Sequence, residues 1–130
     1  CGVDGSDHAE SAIVMAAELA QATQAPLAVV AVNQLTPASG HPDIRDWTTD
    51  QAEALLMAAT RTARRHGVDA QPVLTEGRDV AAALLDSASR LRAGHIVVGA
   101  GEARGMADWL LGSVARTVAA RAPCSVTIAR

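Results

Sequence analysis

The apolar positions of this 130-residue chain alternate between short runs rich in valine and longer stretches with helical spacing. Five runs predict strands: Cys1–Val3, Leu27–Val32, Ala70–Thr75, His95–Gly99 and Cys124–Ile128. The second and fourth are continuously apolar, which is typical of strands buried on both faces. Pro72 places the third strand at a sheet edge. We expect the first strand to begin upstream of residue 1.

Apolar residues spaced by three and four positions predict four helices between these strands. The helices run from Asp7 to about Thr23, from Thr48 to His66, from about Asp79 to Leu91, and from Gly112-Ser113 to about Arg121. Asp7 is expected to cap the first helix, and Gly67 to end the second. The segment from Asn33 to Asp46 has no periodicity and is expected to be a long loop, either functional or mobile.

Strands that alternate with helices through mostly short links indicate a parallel α/β sheet. The chain shows no repeat, linker or low-complexity tract, so residues 1–130 are expected to form one domain.

The amino-acid composition excludes several classes of function. All 11 basic residues are arginine, so a P-loop lysine and a Schiff-base lysine are both excluded. The net charge of −3 gives no reason to expect nucleic acid or an anionic membrane as a partner. No apolar run approaches the roughly 20 residues that span a bilayer. Cys1 and Cys124 are expected to be free thiols in a reducing compartment, and we therefore expect a cytoplasmic protein.

Two strand ends carry the candidate chemistry. The first strand ends in Gly2-Val3-Asp4-Gly5-Ser6, and the fourth leads through a glycine-rich segment to Gly112-Ser113. Ligands of open parallel sheets bind beyond the carboxyl ends of the strands, and amides at a helix N-terminus suit a phosphate. The Asp4 carboxylate suits a ribose hydroxyl or an adenine amine. The alternative is structural: glycines such as Gly101 and Gly105 serve only as turn residues, and Asp4 is a helix cap.

The segment from Ile96 to Ile128, IVVGAGEARGMADWLLGSVARTVAARAPCSVTI, closely resembles the C-terminal signature of the universal stress protein family. The opening GVDGSDHAESAIVMAAELA resembles that family's first strand and helix. The resemblance implies a Rossmann-like open parallel sheet of five strands, in the order 3-2-1-4-5, with helices on both faces. It also implies an adenine nucleotide, ATP or AMP, as ligand, and a homodimer formed through the last strand, Cys124 to Ile128.

The nucleotide-binding positions carry over from the family residue by residue. They are Gly2, Val3 and Asp4 around the base and ribose, Val32 against the adenine, Val98 and Gly99 beneath it, and Gly112, Ser113 and Val114 at the phosphates. The family's pattern is glycine, two residues, glycine, nine residues, then glycine and serine or threonine. Gly99 and Gly112-Ser113 satisfy it, but Glu102 occupies the position of the middle glycine.

Glu102 therefore modifies the expected function. A carboxylate near phosphates repels them, although Arg104 offsets the charge, or Glu102 binds Mg²⁺ that bridges to the phosphates. We expect a regulatory stress-response module whose adenine-nucleotide binding is retained but weakened. One alternative is a nucleotide-free dimerisation module, in which Glu102 has closed the site. Another is a slow ATP hydrolase, but no pair of base and nucleophile is apparent, so we do not expect an enzyme.

Overall fold

The computed structural model describes residues 1–101 and 111–130. Its strands are β1 (Gly2–Val3), β2 (Leu27–Ala38), β3 (His41–Arg45), β4 (Ala70–Gly77), β5 (His95–Gly99) and β6 (Ser125–Ala129). Its helices are α1 (Asp7–Thr23), α2 (Thr49–Arg65), α3 (Val80–Arg90) and α4 (Ser113–Arg121). None of the helices in this described part is long and apolar enough to cross a membrane.

The strands form an α/β sheet, as the alternation of strand and helix predicts. In one ladder β2 lies between β1 and β4 and is parallel to both. In the other, β5 and β6 are parallel, with Val97 opposite Thr127. β1 lies against β5, because a Cβ atom on Gly2 would be 3.4 Å from Cγ1 of Val98. β1 is thus in contact with both ladders, but no continuous ladder carries the expected order 3-2-1-4-5.

The expectation of one continuous five-stranded parallel sheet needs two corrections. β1 has only two residues, and it is hydrogen-bonded to β2 but forms no ladder with β5. The sheet is also mixed, because β3 pairs with β2 in the antiparallel direction.

The segment from Asn33 to Asp46 is not the long loop expected from the sequence. β2 continues to Ala38, turns at Gly40 with φ of 72°, and returns as β3 with Arg45 opposite Leu35. Both faces of this hairpin are largely outside the core, so its residues show no alternation of apolar and polar positions. Because this segment contains two prolines and a glycine, its sequence resembles that of a loop, but the structure has an irregular hairpin. Its register shifts between Thr36 and Ala38.

Helices cover both faces of the sheet. On one face, α1 and α2 pack on Val29 and Ala31 of β2, and α1 continues over Val97 of β5. On the other face, α3 packs on Val30 and Val32, and α4 packs against α3 and β6 in the same core cluster. Consecutive residues of β2 therefore enter opposite cores, which is why this strand is apolar at every position.

Most element ends agree with the sequence within one or two residues. Gly67 follows α2 in the left-handed conformation, with φ of 78°. The last strand begins at Ser125, one residue later than expected. β4 pairs only with β2 among the described residues, so the edge position inferred from Pro72 is confirmed. Both cysteines are free thiols, as expected.

Candidate functional site

A cavity of about 380 Å³ opens at the carboxyl ends of β1, β2 and β5. All nine residues singled out by sequence lie in its wall: Gly2, Val3, Asp4, Val32, Val98, Gly99, Gly112, Ser113 and Val114. They come from β1, β2, β5 and the start of α4. The cavity therefore lies where ligands of open parallel sheets bind.

Asp4 and Ser6 form the corner between β1 and α1. Oδ1 of Asp4 accepts hydrogen bonds from the amide of Ser6 at 3.0 Å and from its hydroxyl at 2.7 Å. Ser6 in turn caps α1, because its Oγ accepts from the amide of Ala9 at 3.2 Å. The expectations that Asp7 or Asp4 is the cap are therefore wrong. Asp4 is exposed, and its Oδ2 has no hydrogen-bond partner among the described residues.

Glycines allow three backbone segments to meet at the cavity. A Cβ atom on Gly99 would lie 2.7 Å from the carbonyl carbon and oxygen of His8. Gly101 has φ of 74°, and a Cβ atom there would be 3.1 Å from Cα of Gly112. The amide of Gly112 donates to the carbonyl of Ala100 at 2.7 Å. Gly101 is thus more than a turn residue, because its backbone packs directly on the residue that precedes α4.

The N-terminus of α4 faces the cavity. Gly112 precedes the helix and has no side chain with which to cap it. The amides of Ser113, Val114 and Ala115 are the first of the helix and have no intrahelical acceptor. In the described part of the chain nothing else accepts from them, and the Ser113 hydroxyl also has no partner. Together with the partial positive charge of the helix end, these donors suit an anionic oxygen.

The β2–β3 hairpin contributes residues that sequence reasoning missed. Gln34, Asp46 and Trp47 line the cavity. The side chain of Asn33, 3% exposed, accepts from the amide of Trp47 at 3.0 Å and donates to its carbonyl at 2.8 Å. Asn33 was the available signal, because a polar residue directly after a buried strand needs hydrogen-bond partners.

Two ion pairs attach the hairpin to β4 and to Arg78, the residue that follows this strand. Arg45 of β3 contacts both carboxylate oxygens of Glu76, at 2.6 and 3.3 Å. The Arg45 guanidinium, through this hydrogen bond, holds the pKa of the Glu76 carboxyl below its usual value. Arg78 contacts Asp43 through three N–O distances of 3.0 to 3.3 Å. The hairpin wall of the cavity is therefore attached to the carboxyl end of β4.

A second cavity, of about 450 Å³, lies at the opposite ends of the strands. Its wall includes Pro26, Leu27, Leu91, Arg92 and Gly94. Although it is larger, no described helix N-terminus opens into it, and it has no set of converging glycines. The smaller cavity is therefore the better candidate for a ligand site.

Comparison with known proteins identifies the chain as a whole. The sequence model of the universal stress protein family matches residues 1–130. The chain belongs to this family. Universal stress protein YxiE of Bacillus subtilis (strain 168) is 30% identical over an alignment of 141 positions, which covers 98% of this chain and 95% of that protein. The family that the two terminal motifs resemble is thereby confirmed.

Solved structures of the family share this fold. A universal stress protein in complex with cAMP is 29% identical, with a TM-score of 0.79 and coverage of 99% of this chain and 93% of that one. The universal stress protein of Archaeoglobus fulgidus in complex with dAMP is 27% identical, with a TM-score of 0.76 and coverage of 99% and 94%. Both of those proteins are therefore in complex with an adenine nucleotide.

Part of the family motif lies outside the described residues. Glu102, Arg104, Gly105 and Trp109 fall between residues 101 and 111, so the expectations placed on them stay predictions from sequence. Within residues 1–101 and 111–130, no group of three or more histidine, cysteine, aspartate or glutamate side chains is arranged to hold a metal ion.

Proposed function

We propose that this protein is a stress-response regulator that binds an adenine nucleotide, AMP or ATP, in the cavity at the ends of β1 and β5. One observation carries the proposal: nine residues chosen from sequence, distant along the chain, line the same cavity as the open N-terminus of α4. The cAMP and dAMP complexes of two relatives support the class of ligand.

The cavity wall offers different chemistry at its two sides. The amides at the start of α4 and the Ser113 hydroxyl are donors for a phosphate. Val32, Val98 and Leu84 provide an apolar surface for a flat base. Asp4 supplies a carboxylate that accepts from a hydroxyl or an amine. In the proposed complex the phosphate therefore lies against α4, and the base lies between the ends of β2 and α3.

Two glycines with the same backbone conformation make a matched test. Gly101 and Gly40 both have positive φ, of 74° and 72°, but only Gly101 lies in the cavity wall. Alanine at either position costs about 1–2 kcal/mol of stability, because a Cβ atom disfavours the left-handed backbone conformation. Titration calorimetry with AMP and with ATP should give saturable binding to the wild-type protein and to Gly40→Ala. Gly101→Ala should lose about ten-fold or more in affinity, because its methyl group displaces Gly112.

Two results would overturn the proposal. One is the absence of saturable binding of AMP and of ATP to the wild-type protein. The other is equal nucleotide affinity in Gly101→Ala and Gly40→Ala, which would place the ligand elsewhere. Absence of ATP turnover by the saturated protein would support regulation by binding, whereas sustained phosphate release would favour the slow hydrolase.

Glu102 sets the expected strength of binding in this proposal. Repulsion between its carboxylate and the phosphates should weaken ATP about ten-fold. Glu102→Gly should therefore tighten ATP more than AMP, and the gain should shrink in high salt. If Glu102 instead holds Mg²⁺, the substitution weakens ATP binding when Mg²⁺ is present. Titrations with Mg²⁺ and with a chelator separate the two roles, and an unchanged affinity in both would show that Glu102 acts in neither.

A further inference from the structure

The hairpin residue Asp46 lies in the cavity wall at the side away from α4. Its amide donates to the carbonyl of Gln34 at 3.1 Å, which places it beside the last residue of β2 that pairs with β4. α4 belongs to the other side, because Gly112 packs on Gly101 directly after β5. With β1 between β2 and β5, two strand spacings separate these sides, or about 10 Å. This is similar to the span of a nucleoside monophosphate from its phosphate to the far edge of its base.

The charges around the hairpin leave Asp46 without a cation. Three carboxylates, those of Asp43, Asp46 and Glu76, share this region with the guanidinium groups of Arg45 and Arg78. Arg45 pairs with Glu76, and Arg78 pairs with Asp43. The Asp46 carboxylate has neither a hydrogen bond nor an ion pair with any residue that the structure describes. A ligand group can therefore use it without first breaking one of these contacts.

The position of Asp46 is also fixed on both sides along the backbone. The preceding residue, Arg45, is paired in the β2–β3 ladder opposite Leu35. The next residue, Trp47, is held by two hydrogen bonds to the buried side chain of Asn33, which accepts from its amide and donates to its carbonyl. A site held in this way keeps its geometry when a ligand enters, which is what discrimination between similar ligands requires.

We propose that Asp46 reads the base of the bound nucleotide, its carboxylate accepting a hydrogen bond from the exocyclic amine of adenine. This inference rests on the proposed function, because it takes the phosphate to lie against α4. An ionised carboxylate has only acceptors. It therefore attracts a base that presents an amine at its far edge and repels one that presents a carbonyl oxygen, such as hypoxanthine.

The test compares AMP with inosine 5′-monophosphate (IMP), which has a carbonyl oxygen in place of the adenine amine. Calorimetry on the wild-type protein should show tighter binding of AMP. Asp46→Asn presents an amide that can donate to the carbonyl, so the ratio of AMP to IMP affinity should fall about ten-fold, the equivalent of one charge-assisted hydrogen bond. Asp46→Ala should also lower the ratio, because it removes the acceptor without adding a donor.

Asp50→Asn is the matched control, because Asp50 is an exposed acid in the first turn of α2 and outside the cavity wall. It removes the same charge four residues away and should leave the ratio unchanged. An unchanged ratio in both Asp46 variants, with AMP still bound, would overturn the role of Asp46 but not the proposed function. An equal fall of the ratio in Asp50→Asn would show that the effect comes from long-range charge, and it would overturn the role of Asp46. Absence of AMP binding to the wild-type protein would overturn both the role of Asp46 and the proposed function.

Discussion

At the scale of single residues, Gly99 carries the closest backbone contact of the cavity wall. Alanine there would place a methyl group 2.7 Å from the carbonyl group of His8, in the first turn of α1. Neither backbone can retreat without moving the start of that helix. Gly99→Ala should therefore lower the free energy of unfolding by about 1–3 kcal/mol.

Gly94 supplies the control, because a Cβ atom there would have no neighbour within 4 Å. In urea unfolding, Gly94→Ala should stay within about 0.5 kcal/mol of the wild-type protein. Equal loss of stability in the two variants would contradict the contact between β5 and α1.

Ser113 provides the residue-scale test of the phosphate position. Its hydroxyl has no partner in the described part of the chain and lies in the cavity wall. Ser113→Ala should weaken AMP and ATP about ten-fold, since a hydrogen bond to a charged group contributes roughly 1.5–3 kcal/mol. Adenosine, which lacks the phosphate, should bind with nearly unchanged affinity. Ser89→Ala, an exposed serine at the end of α3, should change neither affinity.

The site could be predicted from sequence wherever it depends on local motifs. The glycines and Ser113 follow strands or precede a helix, so their chemistry is apparent from a few neighbouring letters. Asp46 was missed because it reaches the cavity only through the antiparallel pairing of β2 with β3. That pairing brings Asp46 beside Gln34, which lies well before it in the chain, and no alternation of apolar positions marks it. The cap of α1 was misassigned to Asp7 or Asp4 because Ser6, which lies between them, is an equally suitable cap residue.

At the scale of elements, the β2–β3 hairpin is formed by its antiparallel ladder and by exposed ion pairs, with little apolar packing. Ile44 of β3 is 60% exposed, so the hairpin brings little apolar surface into the core. The expected loop and the observed hairpin differ for this reason. Burial on both faces makes β2 recognisable up to Val32, whereas its extension and β3 are stabilised by partners that only the fold brings near.

The ion pair between Arg45 and Glu76 predicts that the stability of the folded protein depends on pH. Arg45 lowers the pKa of Glu76 in the folded protein. The stability that the pair contributes is therefore fully present above the unfolded glutamate pKa of about 4.3, and it is lost as the pH falls through the lower folded value.

Glu76→Gln tests this dependence. It should be less stable than the wild-type protein at neutral pH, and the difference should vanish in acid. Unfolding curves from pH 7 down to about pH 3 measure the difference, with Glu53→Gln, an exposed change on α2, as control. A difference between Glu76→Gln and the wild-type protein that does not change with pH would contradict the pair.

At the scale of the whole molecule, β6 is an edge strand whose partly exposed apolar residues favour association with a partner strand. It pairs only with β5 in the part of the chain that the structure describes. Val126 and Ile128 are only partly buried against the core of this chain. An apolar edge is an aggregation hazard unless another strand covers it, and a two-fold copy would do so symmetrically.

We therefore predict a homodimer, and light scattering at micromolar concentration should give twice the monomer mass. Val126→Pro should shift this towards the monomer, whereas Leu74→Pro, at the opposite edge strand, should not. A monomeric wild-type protein would contradict the prediction. The edge position was expected from the strand order that the family resemblance implies, but the partner lies outside the chain itself.

Mapping of AMP onto the folded protein tests the central claim most directly. In a nitrogen-15 labelled sample, addition of AMP should shift the amide signals of Gly2, Asp4, Val32, Gly99 and Ser113 together, with one saturation curve. The signals of Leu91 to Gly94, beside the larger second cavity, should stay in place. Shifts confined to that opposite end of the sheet, or no shift at saturating AMP, would contradict the account.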